Sequence, residues 1–263
     1  MHHRWFRALL HYRIFLGLTC LLPLGLFAQA RKEINHQQQT WFSVNSTIRF
    51  TDKWGMIGDF HIRRNDFVQD PSFYFLRLGP NFWLKYNISL SAGYAHLWLA
   101  PSTEGYQTWA NENRIYQQFV ISSGMGKNSL LQRIRNEQRW QEKVVNDVKT
   151  SEIRFTNRVR YLASFTFPVF KNPKAPSLVL ADEILLQFGK EVVYNTLDQN
   201  RIFLGIRQNL GSGWSFDFGY MNVYQQKYSG YQYDMNHTIR LFFYYIGGKK
   251  PGLQSDVPAH HDE

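Results

Sequence analysis

Cysteine is almost absent from this chain, since Cys20 is the only one in 263 residues. A single cysteine cannot form an intramolecular disulfide or supply a zinc site built from several thiolates, so both are excluded. Charged residues are also scarce, at 19% of the chain, whereas aromatic residues reach 17%. Because disordered chains contain few aromatic residues, this composition excludes extensive disorder.

Long apolar runs are lacking as well. A membrane-spanning helix needs about 20 predominantly apolar residues, and the mean hydropathy of the chain is only −0.40. A bundle of membrane helices is therefore excluded.

The N-terminal segment predicts export from the cytoplasm. Residues 1–13 contain arginine but no acidic residue, residues 14–27 are apolar, and the small residues Ala28 and Ala30 follow. This arrangement is typical of a secretory signal peptide over 1–28, cleaved after Ala28 or Ala30. A membrane anchor is the alternative, but an apolar run of about 14 residues is too short to span a bilayer comfortably.

Export narrows the possible partners. Cleavage removes Cys20, so the mature chain has no cysteine. The formal net charge of +10 would suit nucleic-acid binding, but an exported protein does not meet cytoplasmic nucleic acid. We therefore expect no nucleic-acid partner.

Apolar and polar residues alternate with a period of two through the rest of the chain. Phe155 and Val159, for example, alternate with Thr156, Arg158 and Arg160. Period two is the signature of β-strands with one apolar face. The pattern predicts an all-β fold of eleven strands near 38–50, 54–66, 73–84, 88–99, 112–123, 130–141, 151–167, 177–189, 198–210, 214–226 and 235–245.

Strand length favours a transmembrane barrel. Soluble strands are usually about 5–6 residues long, whereas strands that cross a membrane need about 9–11. A soluble sandwich buries its apolar faces, and an outer-membrane barrel turns them to lipid and its polar faces to the lumen. Short connections also alternate with longer ones, as at 51–53 against 100–111 and at 211–213 against 142–150. A soluble exported β-sandwich that binds a ligand remains the alternative.

Aromatic residues near the strand ends suggest two interfacial girdles. One group flanks the short turns and the other lies near the longer loops. The first contains Phe50, Trp54, Trp83, Tyr86 and Trp214, and the second contains Trp41, Trp98, Trp140 and Tyr224.

Eleven is an odd number, whereas bacterial single-chain barrels have an even number of antiparallel strands. We therefore predict about twelve strands, the extra one formed by residues 31–37, although ten remains possible. The single antiparallel barrel then occupies residues 31–246, and residues 247–263 form a polar periplasmic tail.

Several segments resemble the domain of unknown function 2490 family, a family of predicted outer-membrane β-barrel proteins. The resemblance rests on the order and spacing of WFSVNSTIRFTDKWGMIGDFHIRRND, NENRIYQQF, IRNEQRW, FTNRVRY, DQNRIFLGI and NHTIRLFFYY. It covers roughly residues 38–246. It implies an outer-membrane barrel and implies no reaction and no catalytic residues.

Arginine dominates the predicted lumen face. The alternation places a charged cluster on the inward face of the strands. The cluster consists of Arg114, Arg133, Arg135, Glu137, Arg139, Arg154, Arg158, Arg160, Glu183 and Arg201, and Glu112 and Glu152 also point inward. Because carboxylates accompany the arginines, they can form a structural ion-pair network. In a wider lumen the same residues would favour anions.

A catalytic site is not apparent. His96 and His237 face outward by phase near the longer loops, and Ser72, Ser102 and Ser229 lie in or near those loops. The sequence has no G-x-S-x-G elbow and no zinc-ligand spacing, and we expect no enzyme activity, no metal and no cofactor. A lipid-modifying enzyme with its site at the barrel rim is the alternative.

The sequence thus predicts an outer-membrane barrel, either a narrow pore for small polar or anionic solutes or a structural barrel. The expected partners are outer-membrane lipid, the barrel-assembly machinery and, for a pore, a small anionic solute.

Overall fold

The computed structural model describes residues 31–172 and 174–249. Within these ranges the chain is all-β, with eleven strands and no helix. The strands are β1 (Glu33–Arg49), β2 (Trp54–Asn65), β3 (Asp70–Lys85), β4 (Ile88–Leu99), β5 (Ala110–Met125), β6 (Asn128–Val145), β7 (Val148–Phe167), β8 (Ser177–Phe188), β9 (Leu197–Gly211), β10 (Trp214–Gln226) and β11 (Gln232–Gly248). Each of the eleven strands expected from the alternation is present.

The strands close into one barrel. Each strand pairs antiparallel with the next, but β1 and β11 pair parallel, in register from Glu33 opposite Gln232 to Arg49 opposite Gly248. The predictions of twelve and of ten strands were both wrong, because a parallel pair closes a barrel with an odd number of strands. Residues 33–37, expected in a twelfth strand, instead extend β1.

The barrel has two rims. We call upper the rim that carries the connections 66–69, 100–109, 146–147, 189–196 and 227–231, and lower the rim that carries 50–53, 86–87, 126–127, 168–176 and 212–213. The expected loop at 142–150 was wrong. There β6 and β7 continue to a two-residue turn at Asn146 and Asp147, whose φ values of 50° and 62° suit a type I′ hairpin.

The two faces of the wall differ as the alternation predicts. Side chains that point outward are large, apolar and exposed, as at Leu204 (53% exposed) and Val159 (38%). Side chains that point inward are buried and include several charged ones, such as Arg135 and Arg160. Arginine is almost never fully buried in a protein unless it is paired, so these inward arginines require partners inside the barrel.

Two pairs of glycines allow neighbouring strands to approach closely. Gly79 faces Gly93 between β3 and β4, and Gly205 faces Gly219 between β9 and β10. A Cβ atom on Gly219 would lie 2.3 Å from the carbonyl oxygen of Leu204. Only glycine fits at such points, which are where curved sheets bend.

The expected terminal segments lie mostly outside the residues that the structure describes. The signal peptide expected at 1–28 lies outside the described residues. Of the expected tail at 247–263, residues 247 and 248 belong to β11, and 250–263 lie outside the description. Within the described part of the chain, no helix is long and apolar enough to cross a membrane.

Candidate functional site: the charged network in the lumen

Glu137 on β6 lies at the centre of the lumen and is almost fully buried. Its carboxylate accepts hydrogen bonds from Arg158 at 2.5 and 2.8 Å and from Arg160 at 3.0 Å. Guanidinium nitrogens of Arg135 and Arg114 lie 3.5 and 3.7 Å away. Four arginines therefore surround one carboxylate, which compensates for burying its charge.

Arg160 connects this centre to a second carboxylate. Its Nε and Nη2 atoms donate to Glu183 on β8, each at 2.9 Å, while its Nη1 bonds Glu137. Glu183 also accepts from Arg133 at 2.6 Å and from Arg201 at 3.3 Å. The network thus runs along the inner wall over four consecutive strands, from β6 to β9.

Two further carboxylates extend the network toward the upper rim. Glu112 accepts from Arg114 at 2.5 Å and from Arg139 at 2.8 and 3.1 Å. Asp198 accepts from Arg158 at 2.9 Å. The sequence did not point to Asp198, because it lies at the start of β9, beside an irregularity in the β8–β9 register at Leu185 and Leu186.

The structure brings nine of the ten residues of the predicted cluster together in this network. The exception is Arg154, which lies at the upper rim, 3.1 Å from Glu191 and with its guanidinium 4.1 Å from the ring centre of Tyr228. Glu152, also expected inside, lies on the exposed part of the same hairpin and pairs with Lys143. Both residues belong to the part of β7 that extends beyond the lumen.

Two smaller ion pairs were missed from the predicted cluster. Arg77 on β3 pairs with Asp59 on β2. Arg207 on β9 pairs with Asp217 on β10 at 2.7 and 2.9 Å. All four residues lie on the polar faces that the alternation defines, so the same phase argument could have found them.

The lumen also contains apolar side chains, which the alternation did not predict. They form a buried cluster that includes Phe203 and Phe242. Trp41, expected in a girdle, points inward instead, and the guanidinium of Arg63 lies 3.3 Å from its ring centre. Trp83 lies against Arg49 in the same way, at 3.9 Å. A narrow barrel has to fill its interior with side-chain volume, and large aromatic residues do this.

These buried groups pack against one another inside the barrel. A cavity lined by Trp41, Arg201, Arg240 and their neighbours measures about 10 Å³, which is room for one water molecule at most. Among the described residues, eleven arginines and seven acidic residues are buried, so the interior carries an excess of positive charge.

The upper rim is held by a second set of contacts. Asp147, in the β6–β7 turn, accepts backbone N–H groups of Thr108 at 2.7 Å and Gln107 at 3.0 Å. These bonds lower the pKa of Asp147 and attach the 100–109 loop to the hairpin. Hydrogen bonds from Arg154 and Lys143 likewise lower the pKa of Glu191. The 100–109 and 189–196 connections are therefore both linked to the β6–β7 hairpin.

The histidines considered for catalysis bond to residues other than serine. His96 Nδ1 lies 2.9 Å from Asn113 and 3.3 Å from the hydroxyl of Tyr94. His237 lies 2.7 Å from the hydroxyl of Tyr220 and 3.1 Å from His36. Within residues 31–172 and 174–249, no group of three or more His, Cys, Asp or Glu residues is arranged to hold a metal ion.

The closed all-β fold and its charged interior place the protein in the class of β-barrel proteins. The family model described as "Protein of unknown function (DUF2490)" matches residues 38–246, nearly the whole barrel. The chain belongs to this family. No curated protein and no solved structure shows a significant match to it.

Proposed function

We propose that this protein is a structural outer-membrane β-barrel whose lumen is closed by its own arginine–carboxylate network. The observation that carries the proposal is the burial of Arg133, Arg135 and Arg160, each at most 1% exposed in the middle of the barrel. A water-filled pore would expose such side chains to solvent.

The outer wall supports the membrane location. Outward side chains along the strands are mainly apolar, with polar exceptions such as Gln117 and Asp182, and an apolar outer band over a polar interior suits a barrel in lipid. Aromatic residues that flank this band on the outside include Trp54 (53% exposed) and Tyr86 (53%) at the lower rim and Trp98 (38%) at the upper rim. Exposed aromatic residues at both levels suit the two membrane interfaces.

An anion pore is the second candidate, favoured by the excess of buried arginine. It would require the carboxylates Glu137 and Glu183 to release their arginines, since their ion pairs now fill the lumen. We propose no catalytic role for the protein.

Two measurements test the proposal. After expression in a Gram-negative host, the mature protein should remain in the outer-membrane fraction through a carbonate wash. Folded, heat-modifiable protein in planar bilayers should give no steady conductance. Release as a soluble periplasmic protein would overturn the membrane location, and a steady anion-selective current would favour the pore.

A further inference from the structure

Primary amides occupy the middle of the outer wall. Gln117 lies near the centre of β5, and Asn136 and Gln138 lie near the centre of β6; all three point outward. Asn157, opposite Gln138 on β7, also points outward. We call these four residues the amide patch. On the proposed membrane location, Gln117 and Asn136 lie at the depth where lipid offers only hydrocarbon, and Asn157, opposite Phe188 at the end of β8, lies nearer the upper rim.

The amides bond to one another but retain hydrogen-bonding capacity. Gln117 donates to Gln138 at 3.1 Å, and its carbonyl accepts from Asn136 at 3.1 Å and from Gln138 at 3.3 Å. Each primary amide carries two N–H donors. These bonds use one donor of each of the three residues, so each retains a second N–H donor.

Lipid cannot satisfy these groups at mid-depth, whereas a second protein can. Polar side chains within membranes hydrogen-bond between neighbouring protein segments. An amide both donates and accepts, so a patch of amides is complementary to a copy of itself. A two-fold axis through such a patch places each copy's donors against the other's acceptors, as an isologous interface requires.

The wall beside the patch has room for side chains of that second copy. A groove of about 590 Å³ borders Gln117 and Asn136, with Pro80 and Ala92 among its smaller lining residues and Phe119 and Ile134 among its larger ones. A neighbouring barrel could insert the apolar side chains that flank its own amides there.

We propose that two copies of this barrel associate side by side in the membrane through the amide patch. The proposal rests on the proposed outer-membrane location and adds to it a homodimer with a defined interface on β5 and β6. The partner is a second copy of this chain, because the patch supplies both halves of every hydrogen bond across the axis.

Site-specific crosslinking tests the interface. Ile134→Cys places a thiol beside the patch without removing an amide, in a mature chain that otherwise lacks cysteine. In oxidised outer membranes this variant should give a covalent species of twice the monomer mass. Ile239→Cys, central and exposed on β11, is the matched control and should remain monomeric. Wild-type protein, treated in parallel, shows whether any crosslink comes from Cys20 in uncleaved precursor.

Removal of the amides provides the second arm. Gln117→Leu with Gln138→Leu should lower the crosslinked yield of Ile134→Cys at least tenfold and leave a folded monomer, as judged by heat modifiability. Asn200→Leu, an outward amide on β9, should leave that yield unchanged.

The results separate this proposal from the preceding one. Membrane-bound protein that is monomeric by light scattering in mild detergent and gives no crosslink overturns the dimer alone. Equal crosslinking from Ile239→Cys, or an adduct with a different protein, also overturns it. Release of the protein by carbonate overturns the membrane location and the dimer together.

Discussion

Arg160 and Glu183 form a two-pronged ion pair on the inner wall, with two N–H···O hydrogen bonds of 2.9 Å each between the adjacent strands β7 and β8. The planar guanidinium matches the carboxylate, so both oxygens are satisfied at once. Because Arg160 also reaches Glu137, strands that are not neighbours in the sheet are connected through the interior.

Neutralising the central carboxylate should destabilise the barrel. Glu137→Gln removes the charge that faces Arg158 and Arg160 and leaves those arginines buried without it. Breaking a buried ion pair from one side costs about 3–5 kcal/mol, and we expect a loss of that size in urea unfolding from lipid vesicles. Glu191→Gln, at the upper rim, should change stability by less than about 1 kcal/mol. Equal effects of the two changes would contradict a structural role for the network.

A charge on the outer wall should be costly only at membrane depth. Val159 and Val148 lie on the same strand, but Val159 is central and Val148 begins the strand at the upper rim. Val159→Arg should cost roughly 2–4 kcal/mol in vesicles, as arginine does near a bilayer midplane. Val148→Arg, at a position 65% exposed, should cost close to nothing. If both variants unfold alike, β7 does not cross the bilayer as proposed.

The close glycine contacts should not tolerate a methyl group. Gly219→Ala would place its Cβ 2.3 Å from the Leu204 carbonyl oxygen, which forces β9 and β10 apart. Overpacking of this kind typically costs about 1–3 kcal/mol, measurable by the same urea unfolding. Gly124→Ala is the control, since no atom lies within 4 Å of its added Cβ. A stability for Gly219→Ala within error of wild type would disprove the tight approach.

Acid should release the 100–109 loop. The N–H groups of Thr108 and Gln107 favour the charged form of Asp147 and lower its pKa. The contribution of a group with a lowered pKa is present above its unfolded pKa, near 4, and is lost as the pH falls through the lower folded value. The protection factor of the Thr108 amide, which is the exchange rate of an unfolded amide at the same pH divided by its own exchange rate, should therefore fall below about pH 4. Asp147→Ala should make that exchange fast at neutral pH, and unchanged protection in this variant would mean that the loop is held by other contacts.

The sequence predicts the wall of this barrel well and its closure poorly. Alternation locates all eleven strands and gives the correct face for residues such as Val159 and Arg160, because a period of two is a local property of the backbone. The parallel pairing of β1 with β11 joins residues about 200 positions apart, as at Glu33 and Gln232. Nothing local encodes that pairing.

The contacts inside the barrel also depend on long-range pairing that the local sequence does not encode. Phase places Arg133 and Glu183 on the inner face, but their contact at 2.6 Å joins strands that are not adjacent, and it depends on the barrel's width. The inward aromatic residues, such as Trp41 and Phe203, contradict a simple polar-inside rule. The cluster in which they pack joins residues of several strands, so it can be found only from the closed barrel.

The odd number of strands has a consequence for the two sides of the membrane. Because β1 and β11 run in the same direction, Glu33 lies at the upper rim and Gly248 at the lower. If the upper rim, which carries the longer 100–109 connection, faces the cell exterior, Glu33 would lie on the exterior side and Gly248 on the periplasmic side. Hairpins joined at the upper rim would pair off the strands from β2 through β11 and leave β1 single, so in a barrel inserted by such hairpins the start of β1 would cross the bilayer on its own. A peptide fused before Glu33 would then be accessible to antibody on intact cells, and the same peptide after Gly248 would be hidden.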